Sequence, residues 1–214
     1  MTGAHSILTF LDCTLRDGGY YNAWDFPPEL VSDYLQAMQG AQVDVVELGF
    51  RFLKNEGFKG AHAFSSDDYL RCLPIPDDLS VGVMVNGSDL CTSMGCEPAL
   101  GRLFPLPASE SPVDLVRLAC HYHELEKVLP AVPWLNARGY RVGLNLMQIS
   151  ERSADELEAL ARMATSVPLE VLYFADSMGG MTPADVSGVI HTLRIHWQGP
   201  IGVHTHDNLG LALS

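Results

Sequence analysis

The sequence is short of positive charge. Among 214 residues, 13 are Lys or Arg against 26 Asp or Glu, a formal charge of −13. Such a surface lacks the cationic footprint that a phosphate backbone requires, which argues against nucleic acid as a partner. No apolar run reaches the length of about 18 residues needed to span a bilayer. Residues 1–6 lack a basic segment followed by an apolar one, so no secretory leader is expected. No membrane association is read, and the expected compartment is the cytosol. The five cysteines, Cys13, Cys72, Cys91, Cys96 and Cys120, form no regular framework and read as reduced thiols. Cys91 and Cys96 have no second pair nearby, which speaks against a zinc knuckle. A Gly-x-Gly-x-x-Gly turn is also missing: after the first apolar run come Thr14-Leu15-Arg16-Asp17-Gly18-Gly19, with charges where bare backbone should approach a pyrophosphate.

What is present is core. With 47% apolar and 18% charged residues, the chain can bury a single globular domain over 1–214, and no composition shift marks a boundary within it. Short apolar or β-branched runs recur at 7–11, 43–48, 81–85, 115–119, 142–146, 171–174 and 201–204, beginning roughly 27 to 38 residues apart. The stretches between them have helical spacing. Residues 28–39 open on prolines and stop at Gly40, 153–164 carry Ser153 and Glu156 at capping-box spacing, and 182–196 begin with Thr182 before Pro183. Strands alternating with helices predict βα units on a parallel sheet. Trp24, Trp134 and Trp197 fall on or beside the expected helices and read as packing residues. The connection 49–73 is long enough to carry a substrate-facing loop, and its Arg51, Lys54, Lys59 and His62 read as solvated charges.

In parallel α/β folds, chemistry gathers at the C-terminal ends of the strands. There the sequence offers Arg16 and Asp17 after the first run, Glu47 in the second, Asn145 and Gln148 after the fifth, Asp176 and Ser177 after the sixth, and His204, His206, Asp207 and Asn208 after the seventh. Residues two apart on a strand share a face, so His204 and His206 present two imidazoles side by side, as a divalent metal site requires. Alone, a His-x-His pair is equally a hydrogen-bonded core pair. At a strand end, matched by an Arg-Asp pair on another, it becomes a ligand pair, with Asp17 the best-placed third donor because barrel closure brings the first strand near the seventh.

These residues carry a family resemblance. The segment Leu11-Asp12-Cys13-Thr14-Leu15-Arg16-Asp17-Gly18-Gly19 resembles the first-strand signature of the DRE-TIM metallolyases, and His204-Thr205-His206-Asp207-Asn208-Leu209-Gly210 resembles their seventh-strand signature. Glu47 fits the second-strand glutamate, and Asp176-Ser177-Met178-Gly179-Gly180-Met181-Thr182-Pro183 resembles the sixth-strand segment. The resemblance implies an α/β fold of the TIM (β/α)8 type, here with about seven βα units. Within the family the chain is most similar to 4-hydroxy-2-oxovalerate aldolase-like proteins, which make or break a carbon-carbon bond beside a pyruvate enolate. By that resemblance Asp17, His204 and His206 would hold a divalent ion, Mn2+ or Mg2+. Arg16 would face the enolate oxygen and Glu47 would hold Arg16. The partners would be a small 2-oxo acid and an aldehyde.

A guanidinium suits this task because it stays charged and its planar fork can serve substrate and Glu47 together. The sequence departs from the aldolase pattern at Tyr20, where a histidine is usual; an unperturbed phenol, with a pKa of about 10, donates or relays a proton rather than accepting one at neutral pH. His121 and His123 are the substitutes as base, with a solvated helix start as the plainer reading of the same residues. Asp176 and Ser177 read as substrate contacts, as does Asn145, while Asp176 equally suits the capping of the turn before Thr182. Gly18 and Gly19 read as a tight turn over the site. A Claisen-type acyl-CoA synthase of the same family, or an inactive fragment or binding module, are the alternatives. The length falls one βα unit short of a complete barrel, which raises the expectation of an open edge beside the ligands, covered by a homodimer partner or another segment.

Overall fold

The computed structural model describes residues 8–213, so the reading of 1–6 and the first residue of the run at 7–11 lie outside the described residues. The chain forms two compact units, Met1–Met84 with Ser111–Asp114 and Val85–Glu110 with Leu115–Ser214. The fold class is α/β of the TIM (β/α)8 type, with seven parallel strands among the described residues. Among the described residues no helix is long and apolar enough to cross a membrane, and no disulfide joins the cysteines.

The first unit contains β1 (Leu11–Asp12), α1 (Thr14–Asn22), α2 (Pro28–Gly40), β2 (Val45–Phe50), α3 (Asp67–Arg71) and most of β3 (Ser80–Asn86). Leu11 pairs with Val45 and Glu47 with Gly82, all in parallel. All six residues of β2 are buried, as expected of a parallel strand covered on both faces. Proline at the start of α2 supplies a preset φ, and Val31 and Leu35, one turn apart, form its buried stripe.

Two expectations are corrected in this unit. Gly18 and Gly19 do not make a turn: they lie inside α1, which carries Arg16, Asp17 and Tyr20. Two glycines weaken a helix, but Asp12 offsets this by accepting from the Thr14 N–H at 2.8 Å and from its hydroxyl at 3.1 Å. Gly19 is needed for packing, since a Cβ there would sit 1.9 Å from the Trp24 ring. Nor are Arg51 and His62 solvated. Both are buried: Arg51 Nη2 lies 2.6 Å from Asp67 Oδ1, and His62 bridges the Leu48 carbonyl at 2.6 Å and the Tyr69 hydroxyl at 2.8 Å. The register of β2 slips between Glu47 and Phe50. Gly49 lies in that stretch, where a Cβ would meet the His62 carbonyl oxygen at 1.9 Å. The long connection thus folds back over the bulge and takes its charges inside with their partners, leaving Lys54 at the surface.

The second unit contains α4 (Gly87–Leu90), α5 (Cys96–Leu103), β4 (Leu115–Cys120), α6 (Leu125–Val128), α7 (Ala131–Asn136), β5 (Arg141–Leu146), α8 (Ala154–Thr165), β6 (Val171–Asp176), α9 (Pro183–Leu193) and β7 (Ile201–Thr205). Helix α8 starts on the expected capping box, with Ser153 Oγ accepting from the Glu156 N–H, and buries Leu157, Leu160, Ala161 and Ala164 along one stripe. Helix α9 starts the same way on Thr182 and Asp185. Each strand from β4 to β7 pairs in parallel with its sequence neighbour. Strand β4 is buried throughout, whereas Val203 and Thr205 of β7 are exposed.

Candidate active site

In the first unit the site residues converge around one guanidinium. Arg16 projects from the first turn of α1 and Glu47 from the middle of β2, and Arg16 Nε donates to Glu47 Oε1 at 2.8 Å. Glu47 is 0% exposed. Arg16 Nη1 also pairs with Asp17, whose other oxygen accepts from the Cys13 thiol at 3.4 Å. The Trp24 indole N–H caps the Arg16 carbonyl at 2.9 Å, and the guanidinium lies over the Phe50 ring. Burial alone would lower the Arg16 pKa, but the charge of Glu47, helped by Cys13 and Asp17, outweighs it and holds the guanidinium firmly protonated.

Tyr20, one helical turn on from Arg16, stacks edge-on against Trp24 and Phe50 while 62% exposed. Its phenol is pushed up by partial desolvation; Arg16 pulls it down, and Asp17 and Glu47 add to the rise. The net shift makes Tyr20 a weaker acid still, and so a group that keeps its proton.

In the second unit the strand ends hold the remaining candidates. His204 and His206 share a face, with ring centroids 5.0 Å apart and planes at 89°. Asp176 is buried, and both its oxygens are taken by the following loop: Oδ1 accepts from the Gly180 N–H at 3.2 Å and Oδ2 from the Met181 N–H at 3.0 Å. Asp176 therefore holds the turn that leads to Thr182, the plainer of its two expected roles. Ser177 Oγ accepts from the Gln148 N–H at 2.9 Å, tying the loop after β6 to the end of β5. Asn208 Nδ2 reaches the Met178 carbonyl at 3.0 Å, so the same loop is also tied to the segment after β7. His121 opens the short turn after β4, its N–H bound by Glu124 at 2.9 Å, and its ring stacks on that of His123 at 5.6 Å.

Sequence reasoning passed over Arg117. This residue lies in the middle of β4, 1% exposed, and its Nη2 donates to Asn145 Oδ1 at 3.1 Å. Its guanidinium stands 4.3 Å from the centre of the Tyr173 ring. The signal was an arginine inside the otherwise uncharged run Leu115–Cys120; a charge so placed must find its partners within the fold. Asp12 was passed over as well: besides capping α1 it accepts from the Tyr34 hydroxyl at 2.6 Å.

No family model matches the chain. Among curated proteins it is 24% identical over its whole length to an oxaloacetate decarboxylase of Mycobacterium tuberculosis, of which it covers 61%. It is 28% identical over 96% of its length to a 4-hydroxy-2-oxovalerate aldolase of Pelotomaculum thermopropionicum, of which it covers 59%. The chain thus spans about three fifths of the length of these relatives. Among solved structures it matches the N-terminal domain of a candidate aldolase from Bacteroides vulgatus with a TM-score of 0.80 and 28% identity, over 96% of this chain and 67% of that one. It shares the fold of an HMG-CoA lyase from Bacillus subtilis, with a TM-score of 0.71 at 14% identity, over 94% of this chain and 68% of that one.

Proposed function

We propose that this chain is a DRE-TIM metallolyase, a reading that its relatives and its fold support, and that it is the metal-dependent lyase part of an enzyme that cleaves a 4-hydroxy-2-oxo acid to pyruvate and an aldehyde. The observation that carries the reading is the buried Arg16–Glu47 pair. A buried guanidinium held at Nε by one carboxylate is oriented before substrate arrives, and its remaining N–H groups can meet an oxygen on which negative charge grows. Both units are taken to serve one catalytic domain.

Asp17, His204 and His206 are the residues proposed to hold a divalent ion. One carboxylate and two imidazoles form a donor set suited to Mn2+, Fe2+ or Zn2+ as well as to Mg2+, and His204 and His206 already share a face with perpendicular rings. When bound, such an ion supplies Lewis acidity toward the keto oxygen of the substrate. The chain's own residues do the rest. Arg16 donates to the enolate oxygen, and Glu47 keeps the guanidinium from rotating away. His121 is the candidate to accept the hydroxyl proton in the cleavage direction, and Asn145 to donate to the 2-oxo acid. Tyr20 keeps its proton and stands ready to deliver it to the enolate carbon.

The state of Tyr20 favours a second reading. Aldol cleavage needs a base for the hydroxyl, whereas loss of CO2 from a 3-carboxy-2-oxo acid needs none and asks only for a proton to quench the same enolate. A protonated phenol beside Arg16 suits that task, and an oxaloacetate decarboxylase is among the relatives. Pyruvate release from 4-hydroxy-2-oxopentanoate and from oxaloacetate, measured with Mn2+ or Mg2+ against the ion alone, tests both. Asp17→Asn and His204→Ala are expected to abolish the metal-dependent rate, and retained turnover in either variant would sink the reading. Tyr20→Phe is expected to slow decarboxylation more than aldol cleavage. A folded sample that binds no Mn2+ by calorimetry would favour a binding module instead.

A further inference from the structure

Strand register in the second unit places Asn145 beside Tyr173, and Tyr173 beside Gly202. Partners in a parallel ladder point to the same face, and His204 lies two residues beyond Gly202 on that face, about 6–7 Å further along the strand. Asn145 therefore stands on the wall that carries the histidine pair, one layer below it. What holds Asn145 there is unusual. Its Oδ1 accepts from Arg117 Nη2 at 3.1 Å, and the Arg117 guanidinium lies 4.3 Å from the centroid of the Tyr173 ring. That ring lies flat across the sheet because the positions it covers on the two flanking strands are glycine: a Cβ at Gly202 would sit 2.0 Å from Tyr173 Cδ1, and one at Gly143 2.8 Å from Cε2.

We propose that Arg117, steadied by Tyr173, is a positioning residue that fixes the carboxamide of Asn145, so that its Nδ2 is presented as a donor to an oxygen of the 2-oxo acid. A carboxamide can flip, exchanging donor for acceptor at nearly no cost in shape. A cation at Oδ1 removes that freedom, because the flipped amide would turn its NH2 toward the guanidinium. The two glycines keep the ring, and hence the guanidinium plane, in one place. Arg117 acts through Asn145, and Asn145 touches the substrate. The inference rests on the 2-oxo acid reading above.

The test is binding of oxalate, a planar dianion shaped like the enolate of pyruvate, to the Mn2+-loaded protein by calorimetry, with circular dichroism to check folding. Asn145→Ala is expected to weaken oxalate about tenfold or more, as loss of a hydrogen bond to a charged group does. Asn145→Asp keeps the acceptor for Arg117 but removes the donor and adds a like charge, and should weaken oxalate further while leaving the fold intact. Arg117→Met should cost as much as Asn145→Ala, and the double variant no more than either single one, the mark of two residues that act as one unit. Arg117→Lys, which keeps the charge without the planar fork, should recover part of the loss. If Arg117→Met does not fold, Tyr173→Leu replaces it and should weaken oxalate while Mn2+ still binds. Losses that multiply in the double variant, unchanged affinity in Asn145→Asp, or unchanged affinity in Tyr173→Leu would each overturn the proposal. A wild-type protein that binds Mn2+ but no oxalate would instead overturn the 2-oxo acid reading on which it rests.

Discussion

The two units hold their candidate site residues in opposite settings. In the first, Arg16 and Glu47 are buried and locked to each other, with Asp17 and Cys13 joined to the same cluster. In the second, the histidine pair sits at the end of β7, the least buried of the long strands, with His206 itself exposed. The difference separates two requirements. A group that must meet developing charge gains from being desolvated and fixed in advance, because its orientation then needs no change during reaction. Residues proposed to hold a metal need access, since an ion must enter and water must leave. The first arrangement is costly to disturb, and the second should be nearly free of cost to the fold.

Removing one partner of the buried pair tests the first half of this contrast. Glu47→Ala leaves a guanidinium without its main counter-charge and should destabilise the protein by about 3–5 kcal/mol, seen as a lower urea midpoint. A loss below about 1 kcal/mol would mean that the pair is solvated in practice and the contrast false. Next in size is Gly202→Ala, which forces the Tyr173 ring aside and should cost about 1–3 kcal/mol by the same measurement. It asks whether the second unit has a rigid region beneath its open rim.

A pH titration separates the units by a different property. Burial lowers the pKa of His62 in the first unit, only partly offset by its bond to the Leu48 carbonyl. With the folded value below the unfolded value of about 6.5, the unfolded chain binds the extra proton first, so stability falls as pH drops through and below that value. Urea midpoints should therefore decline from pH 7.5 to 5.5, and His62→Gln should flatten the decline. An unchanged slope would place the sensitivity elsewhere. The smallest effect is expected at His206→Ala: stability within about 0.5 kcal/mol of the wild type, as for exposed positions, with stoichiometric Mn2+ binding lost. If this variant unfolds instead, the open rim is a structural element and the comparison fails on that side.

Much of the fold was legible because it depends on local patterns. Six of the seven apolar runs, from 43–48 onward, and three helix-start signals, at Pro28, Ser153 and Thr182, foretold elements within a few residues of those observed, while the run at 7–11 meets β1 only at Leu11. Helix α1 was not legible, since its own residues include two glycines and its start depends on Asp12 rather than on a side-chain cap at Cys13. Of the site, Arg16 and Glu47 were legible as charges beside apolar runs, although Arg16 lies in α1 and Glu47 in the middle of β2 and not at a strand end. The burial of Arg51 and His62 could not, because their partners Asp67 and Tyr69 approach only when 49–73 folds back over a bulge.

By itself, then, the sequence determined the class of fold and the types of chemistry at the strand ends, because hydrophobic period, caps and residue type are properties of neighbours along the chain. Tertiary structure alone decided which polar groups are held and by what. Asp176 became a turn-holding group because two loop amides reach it. Arg117 became the keeper of Asn145 because two glycines let one ring lie flat between their strands. Such roles arise from groups far apart in sequence meeting where water is excluded, and there the strength of each contact depends on how fully the others are satisfied.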